Sequence, residues 1–349
     1  MIPSLDGLRA VSILLVILGH ASANVDDVHP FGFRLVFDHA GLGVRIFFVI
    51  SGYLITSLLL RERERFGQVS LRLFYARRAL RILPAFLVFV ACVVVLERMG
   101  ALTLPPHNLI WVLTYTVNFA PQGTWWTGHL WSLSVEEQFY LLWPLALRLL
   151  SLRICALVAS VAVVSGILLR ALNDVTHIQL VDPALKFAFP FVCGSLAIGC
   201  LLALAEPSVK RALRAAPSAT KTIALFAMPI VVVLDAADLG SLNRFLTLAG
   251  DVLVGFLVAR FVYLPDDVFG RFLNSPVMVF IGKLSYSLYL WQQLFFQRFT
   301  TWWVAAFPWN VIATFGAAST SYFVLERPLM NLRGRLRRTA LVPAGARAR

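Results

Sequence analysis

The chain has 349 residues, 59% of them hydrophobic and only 14% charged, with a net charge of +13. Its mean hydropathy is +0.78 and its pI is near 10.3. A soluble domain carries about 25% charged residues, so this composition excludes an ordinary water-soluble protein and calls for hydrocarbon over most of the surface. A bound polyanion would need the positive charge gathered on one solvent-facing surface. Here most of it is arginine in short loops between apolar runs, which makes a lipid bilayer the expected partner and excludes nucleic acid.

A membrane-spanning helix needs about 20 mostly apolar residues. Segments of that kind fall near 8–25, 43–60, 79–97, 131–149, 153–171, 185–205, 222–238, 244–263, 277–298 and 308–326, ten in all. The first resembles a signal peptide in its short core, Val11 to Leu18, and in Ala21-Ser22-Ala23. Asp6 stands where a basic leader belongs, and Gly19-His20 interrupts the core, so the segment is read as a retained span. Segment 108–120 is more polar, with Asn118 inside it and Pro105-Pro106 before it. Lysine and arginine placement decides its role, because short cytoplasmic loops collect these residues. With ten spans and no crossing by 108–120, 23 of the 31 Lys and Arg lie on the side of the termini, seven on the other, and Lys283 within a span.

The expected architecture is therefore an all-α integral membrane bundle of about ten transmembrane helices with both termini cytoplasmic. Residues 108–130 form a re-entrant or interfacial piece on the outer face, where Trp125-Trp126 suits the interface. Residues 1–330 make one transmembrane domain, and 331–349 a basic cytoplasmic tail expected to be disordered. Cys92, Cys155, Cys193 and Cys200 lie in apolar stretches without paired ligand spacing, so neither a disulfide framework nor a metal site is expected. No signal for an oligomeric state is present.

An ionisable group at the centre of a span costs about 2.5–3.5 kcal/mol on insertion scales, which directs attention to those that persist. In the first span Arg9 and His20 are eleven residues apart. At about 100° and 1.5 Å per residue they fall on one stripe, about 16 Å apart along the axis. Arg9 sits at the cytosolic mouth and His20 past the midplane. A neutral imidazole there suits proton abstraction from a hydroxyl; a hydrogen-bonded packing histidine is the plainer alternative. Near the start of the fourth span, Glu136 and Glu137 are adjacent and point about 100° apart, so one faces the bundle and the other a cavity or the interface. By depth, Glu136 is expected within a few ångströms of His20, where a carboxylate would orient the ring and favour its cation. Pairing with an arginine such as Arg45 is the structural alternative.

Arg77, Arg78 and Arg81 gather where the third span enters from the cytosol, with Arg77 and Arg81 on one face at i, i+4. Guanidinium forks suit the phosphates of coenzyme A, and topology setting with anionic-lipid contact explains them as well. Ser51 and Gly52 are small residues that permit close helix approach. His29, His39, His107, His129 and His177 fall in outer loops, where solvation is the usual fate; His129 lies close to the acidic pair.

Taken together, these stretches resemble the acyltransferase-3 family, bacterial membrane-bound O-acyltransferases that act on carbohydrates. The matching blocks are Leu5-Asp6-Gly7-Leu8-Arg9-Ala10 with the spacing to His20, Phe47 to Ile55, Arg77 to Ala85, His129 to Tyr140, Leu284 to Trp291 and Glu326-Arg327-Pro328. The resemblance implies a ten-helix domain, an acyl-CoA donor as co-substrate with no further cofactor, and acylation, by default acetylation, of a hydroxyl on a carbohydrate or glycolipid acceptor. It implies His20 as the catalytic histidine, Arg9 as its paired arginine and Glu136 as the acidic partner. Arg77, Arg78 and Arg81 would be donor-binding, with Glu137, Ser51 and Tyr140 as accessory candidates. Two departures stand out: Arg45 where many members carry an acid, and Gln292 where many carry histidine. The SGNH-type hydrolase domain that some members append has no counterpart in these residues, so a second acyl-handling step is expected from another protein.

Two chemical routes stay open on the sequence: direct transfer with His20 as general base, and a covalent acyl-histidine. A transporter or flippase of a lipid-linked sugar is the rival class. It predicts an internal repeat, and no second copy of the Arg–His spacing or the Glu pair occurs in the later half. An inactive scaffold is the third reading, against which the intact Arg9, His20 and Glu136 weigh. The expected location is the bacterial inner membrane.

Overall fold

The computed structural model describes residues 3–22, 39–120, 123–176, 187–218 and 242–332, with Thr222 and Pro229. The helices in chain order are α1 (Pro3–Ser22), α2 (Ala40–Phe66), α3 (Leu71–Arg98), α4 (Asn108–Leu113), α5 (Trp125–Gly128), α6 (Leu130–Leu149) and α7 (Leu152–Thr176). They continue as α8 (Phe189–Val192), α9 (Gly194–Leu204), α10 (Glu206–Ala215), α11 (Leu242–Tyr263), α12 (Val268–Leu273), α13 (Pro276–Phe295) and α14 (Trp309–Ser321). Among the described residues there is no strand.

Four described helical stretches are long and apolar enough to cross a membrane: Ser4–Ser22, Ala40–Phe66, Leu71–Arg98 and Phe245–Tyr263. Their outer surfaces fit that setting. Along α3, Leu83, Leu87, Val88 and Val95 are exposed, and along α6, which is not one of these four, so are Leu141, Leu142, Leu145 and Leu149. Water would penalise such rows, whereas lipid tails do not. The expected span at 222–238 and the tail from 333 lie outside the described residues, Thr222 and Pro229 excepted. Between Pro105 and His129 the described chain forms only short helical pieces, α4, a 3₁₀ turn at Val117–Phe119 and α5.

Two compact units are present: residues 1–69 with 105–285, and residues 70–104 with 286–349. In the first, α1 and α2 run antiparallel, with Gly19 against Ala40 at one end and Gly43 against the Ser12 carbonyl farther along. α2 crosses α9 at Gly52 and Gly199. A Cβ on Gly52 would stand 2.0 Å from the Leu196 carbonyl oxygen, and one on Gly199 2.2 Å from that of Val49. Backbones meet there only because both side chains are hydrogen. The buried core joins Leu5, Leu8, Val49, Ile50, Tyr53 and Val258. Sequence punctuation sets the ends: α2 stops at Gly67 in the left-handed region (φ 75°), and α12 begins at Asp267, whose side chain accepts from Gly270 N.

In the second unit α3 starts at Ser70, whose hydroxyl accepts from Leu73 N. The Tyr286 hydroxyl donates to the Ile82 carbonyl at 2.8 Å, and the Trp291 ring meets the edge of Phe89 with centroids 5.6 Å apart. These contacts ascend both chains together, so α3 and the outer half of α13 run in the same direction. α14 continues into a π-helical turn at Tyr322–Glu326. There Glu326, 3% exposed, accepts a short hydrogen bond from Ser287.

Candidate active site

The clearest polar centre of the first unit is built on Glu136. Oε1 of its carboxylate accepts from Ser51 Oγ at 2.6 Å, and Oε2 accepts from the Tyr140 hydroxyl at 3.3 Å. Tyr140 also lies 3.4 Å from Ser51 Oγ. The helix period explains the pairing: Glu136 and Tyr140 are i, i+4 on α6, and α2 delivers Ser51 from the facing helix. Ser51 and Gly52 therefore divide their labour: the glycine makes the close crossing, and the serine binds the carboxylate. Of the three accessory candidates, Ser51 and Tyr140 are brought to Glu136.

Glu137 points elsewhere, as adjacent helix positions require. It lies near Tyr115, whose phenol is pushed up by burial and by the Glu137 charge. Next to it, Gln138 clamps the 108–129 segment. Its Nε2 donates to Asn118 Oδ1 at 2.9 Å and to the Tyr115 carbonyl at 3.0 Å, while Asn118 Nδ2 donates back to Gln138 Oε1 at 3.3 Å. A second bond, Thr127 Oγ1 to Asn108 Oδ1 at 3.0 Å, ties α5 to α4. Asn118, which made the segment too polar for a span, is thus held by an amide partner. His129 is 3% exposed and not a solvated loop residue; it continues the helical backbone between α5 and α6 (φ −58°, ψ −23°).

His20 sits in the last turn of α1 with its ring edge-on to Trp125, centroids 5.6 Å apart. Arg9 forms an ion pair with Asp6 at 2.9 Å. The levels of the three residues differ from the sequence expectation. Gly19 abuts Ala40, and Ala40 precedes Ser51 by eleven residues, about 16 Å of α2 rise. Trp125 precedes Glu136 by eleven residues along the nearly continuous α5–α6 rod, so a second route gives the same separation. Glu136 stands at the level of the Arg9 turn, and His20 stands at the level of Trp125. Taking Trp131 as the outer boundary caused the difference, because helical backbone already begins at Trp125.

Arg45 has a carboxylate partner in Asp251, with Nη1 3.6 Å from Oδ1, and donates to the Thr247 carbonyl at 3.3 Å. Ser195 donates to the other Asp251 oxygen at 2.8 Å. Sequence reasoning missed Asp251 and Ser195. The available signal was an acid within an apolar helix, which should have been asked for its partner. Another pair missed is Arg260 with Asp267, joined by a short bond.

The basic cluster belongs to the second unit. Arg77, Arg78 and Arg81 are all partly buried along the first turns of α3. Arg78 lies over the Phe74 ring at 5.8 Å, and Arg81 is close enough to Glu326 for their charges to interact. Among the described residues no group of His, Cys, Asp and Glu has the arrangement of a metal site.

An acyltransferase domain family matches residues 2–325. A Staphylococcus aureus (strain COL) protein named "putative O-acetyltransferase" is 31% identical over 314 residues, covering 83% of this chain and 50% of that protein. The O-acetyltransferase OatA of Staphylococcus aureus (strain NCTC 8325) is 32% identical over 340 residues, with the same coverage of 83% and 50%. The chain thus spans about half the length of these relatives. No solved structure matches. With the family match running across Arg9, His20, the Glu136 centre and the α3 arginines, the chain belongs to the acyltransferase-3 family, and its matched region is an acyltransferase domain.

Proposed function

We propose that this protein transfers an acyl group, acetyl by default, from acyl-CoA to a hydroxyl of a cell-envelope or secreted carbohydrate. The acting form is a multi-pass protein of the bacterial inner membrane with about ten spans and cytoplasmic termini. The observation that carries this reading is the acyltransferase-domain match over residues 2–325, together with similarity to two proteins named O-acetyltransferases.

In this reading Arg77, Arg78 and Arg81 hold the phosphates of the donor. His20 takes the proton from the acceptor hydroxyl as that oxygen attacks the thioester carbonyl. The tetrahedral adduct collapses, the C–S bond breaks, and the CoA thiolate leaves and takes up the proton from the imidazolium. Glu136, hydrogen-bonded by Ser51 and Tyr140, and Arg9 are the acidic and basic groups of this interior. Glu137 and the Gln138 clamp hold the 108–129 segment beside this region.

The test is His20→Ala in cells. Acetyl groups on the envelope carbohydrate, read by mass spectrometry, should vanish while the amount of protein in the membrane holds. Unchanged acetylation rejects the assignment. With purified protein and labelled acetyl-CoA, acceptor-dependent release of CoA separates an acyltransferase from a flippase, which would release none. Acylated enzyme trapped without acceptor would favour the acyl-histidine route over direct transfer.

A further inference from the structure

The second unit holds a buried carboxylate that the proposed mechanism does not use. Glu326 closes the π-helical turn and is 3% exposed; it accepts a hydrogen bond from Ser287, itself 0% exposed on α13. A carboxylate so buried calls for a cation within reach.

Direct contacts identify that cation. Tyr286, the neighbour of Ser287, donates its hydroxyl to the Ile82 carbonyl at 2.8 Å, and Ile82 follows Arg81 in the chain. α3 also packs against the π-helical turn. Three elements therefore close on one point, and the charge of Arg81 acts on Glu326 there.

The face from which Arg81 departs is fixed by its own helix. Arg81, Ala85 and Phe89 stand at i, i+4 and i+8 on α3, and Ala85 and Phe89 are both 0% exposed. Phe89 meets the Trp291 ring of α13, so this stripe is the inward one. Arg81 lies on it about one turn deeper than Arg77. An arginine so placed satisfies its charge in one of two ways: it snorkels to lipid phosphates at the surface, or it turns to an anion inside the protein. A fixed, buried Glu326 favours the second. Among the described residues Arg81 donates no hydrogen bond, which leaves its N–H groups available to a ligand.

We propose that Glu326 is a positioning residue for donor binding. Its carboxylate, oriented by Ser287, holds the Arg81 guanidinium inside the unit, where the N–H groups meet a donor phosphate instead of a lipid headgroup. This deepens the donor reading given above and rests on it. A free arginine side chain spends part of its binding energy on being ordered when the phosphate arrives; a carboxylate that has already ordered it leaves that energy to the ligand. The carboxylate also repels phosphate at longer range, so the sign of the measured change is itself decisive.

The test uses the full-length protein in lipid nanodiscs and two probes, adenosine 3′,5′-bisphosphate and acetyl-CoA. Glu326→Gln keeps the shape and an acceptor for Ser287 while removing the charge. It should weaken both probes about tenfold, the low end for a charge-assisted hydrogen bond. Arg81→Gln should weaken them by a similar factor. In the Arg81→Gln background, Glu326→Gln should then change either affinity less than about twofold, because the group it positions is gone. A merely structural role would cost the same factor in both backgrounds. Ser287→Ala is the milder variant should Glu326→Gln fold poorly; it should cost about threefold in the wild-type background and nothing measurable beside Arg81→Gln. Additive effects, unchanged affinities, or tighter binding by the Glu326→Gln protein each overturn the positioning role. Failure of the wild type to bind either probe overturns the donor reading, a result distinct from the other three.

Discussion

Among the described residues both units mix paired and unpartnered buried polar groups, and the first holds more of the pairs. In the first, such groups answer one another within the fold: Glu136 with Ser51 and Tyr140, Arg45 with Asp251 and Ser195, Gln138 with Asn118. In the second, the Ser287–Glu326 bond is of this kind, while Gln292, Trp291 Nε1, Thr314 and Ser321 have no partner among the described residues, as Arg260 Nε and Nη1 have none in the first. A satisfied network fixes a single arrangement, because loss of one member leaves the other stranded in low dielectric. Unsatisfied groups carry a standing cost that a ligand is able to recover.

The sharpest challenge to that contrast is Asp251→Ala. It removes the carboxylate facing Arg45, whose side chain is 17% exposed, and should lower stability by about 3 kcal/mol, the low end for breaking a buried pair. The double change Arg45→Met with Asp251→Leu should recover most of the loss, since an apolar pair replaces an ion pair at little cost. Thermal unfolding in detergent checks both. A harmless single variant would show that the pair is not a structural unit.

Next in size is Glu136→Gln. Replacing the anion with a neutral isostere should reduce turnover about 100-fold, within the range of a group assisting proton transfer, with little change in thermal stability because the amide oxygen still accepts from one hydroxyl and the amide N–H donates to the other. Ser51→Ala, which removes one bond to the carboxylate, should cost about tenfold. Steady-state CoA release measures both, and a Glu136→Gln enzyme of full activity would reduce the centre to packing.

These centres were unequally legible in the sequence. The positions of the four long apolar helices followed from apolar run length, and the polar residues worth questioning followed from the cost of burying them. Glu136 with Tyr140 was accessible from i, i+4 spacing alone. Asp251 was not paired with Arg45, because 206 residues separate them and nothing local encodes which helices meet. Small residues decide that: Gly52 and Gly199 bring α2 against α9, and with α9 comes Ser195. Depth was misjudged for His20 and Glu136 because a tryptophan was taken as a boundary while the helix already ran through α5. Gln292 stood out only as a departure; its meaning required knowing that it is 0% exposed on one i, i+4, i+8 stripe with Leu284 and Leu288.

The contrast predicts a stabilising change in the second unit. Gln292→Leu should raise stability by about 1 kcal/mol, because an amide without partners is exchanged for the side chain the stripe calls for. The same change in a satisfied amide, Gln138→Leu, should destabilise by about 1–3 kcal/mol, since Asn118 loses its partner. Comparison of the two melting curves isolates the point, and destabilisation by Gln292→Leu would place that amide among the satisfied groups.

The smallest effect concerns Asp267, at the edge of the first unit, and it is read through pH. Burial alone would push its carboxyl up. The hydrogen bonds from Arg260 and Gly270 N and the charges of Arg260 and Arg271 outweigh burial and hold it below the usual carboxylate range. A folded-state value below the unfolded one means that the native state binds fewer protons. The stabilisation is therefore complete above the unfolded value, about 3.9, and is lost as pH falls through the folded one. Asp267→Asn keeps an acceptor for the α12 cap but not the charge. It should cost about 0.5–1 kcal/mol near neutral pH, at the modest end for a cap, because the carboxylate is 36% exposed and solvent screens it. The gap in melting temperature between wild type and variant should stay constant from pH 7 to about pH 5 and close below about pH 4. A gap that persists at low pH would mean that Asp267 acts through packing rather than through charge.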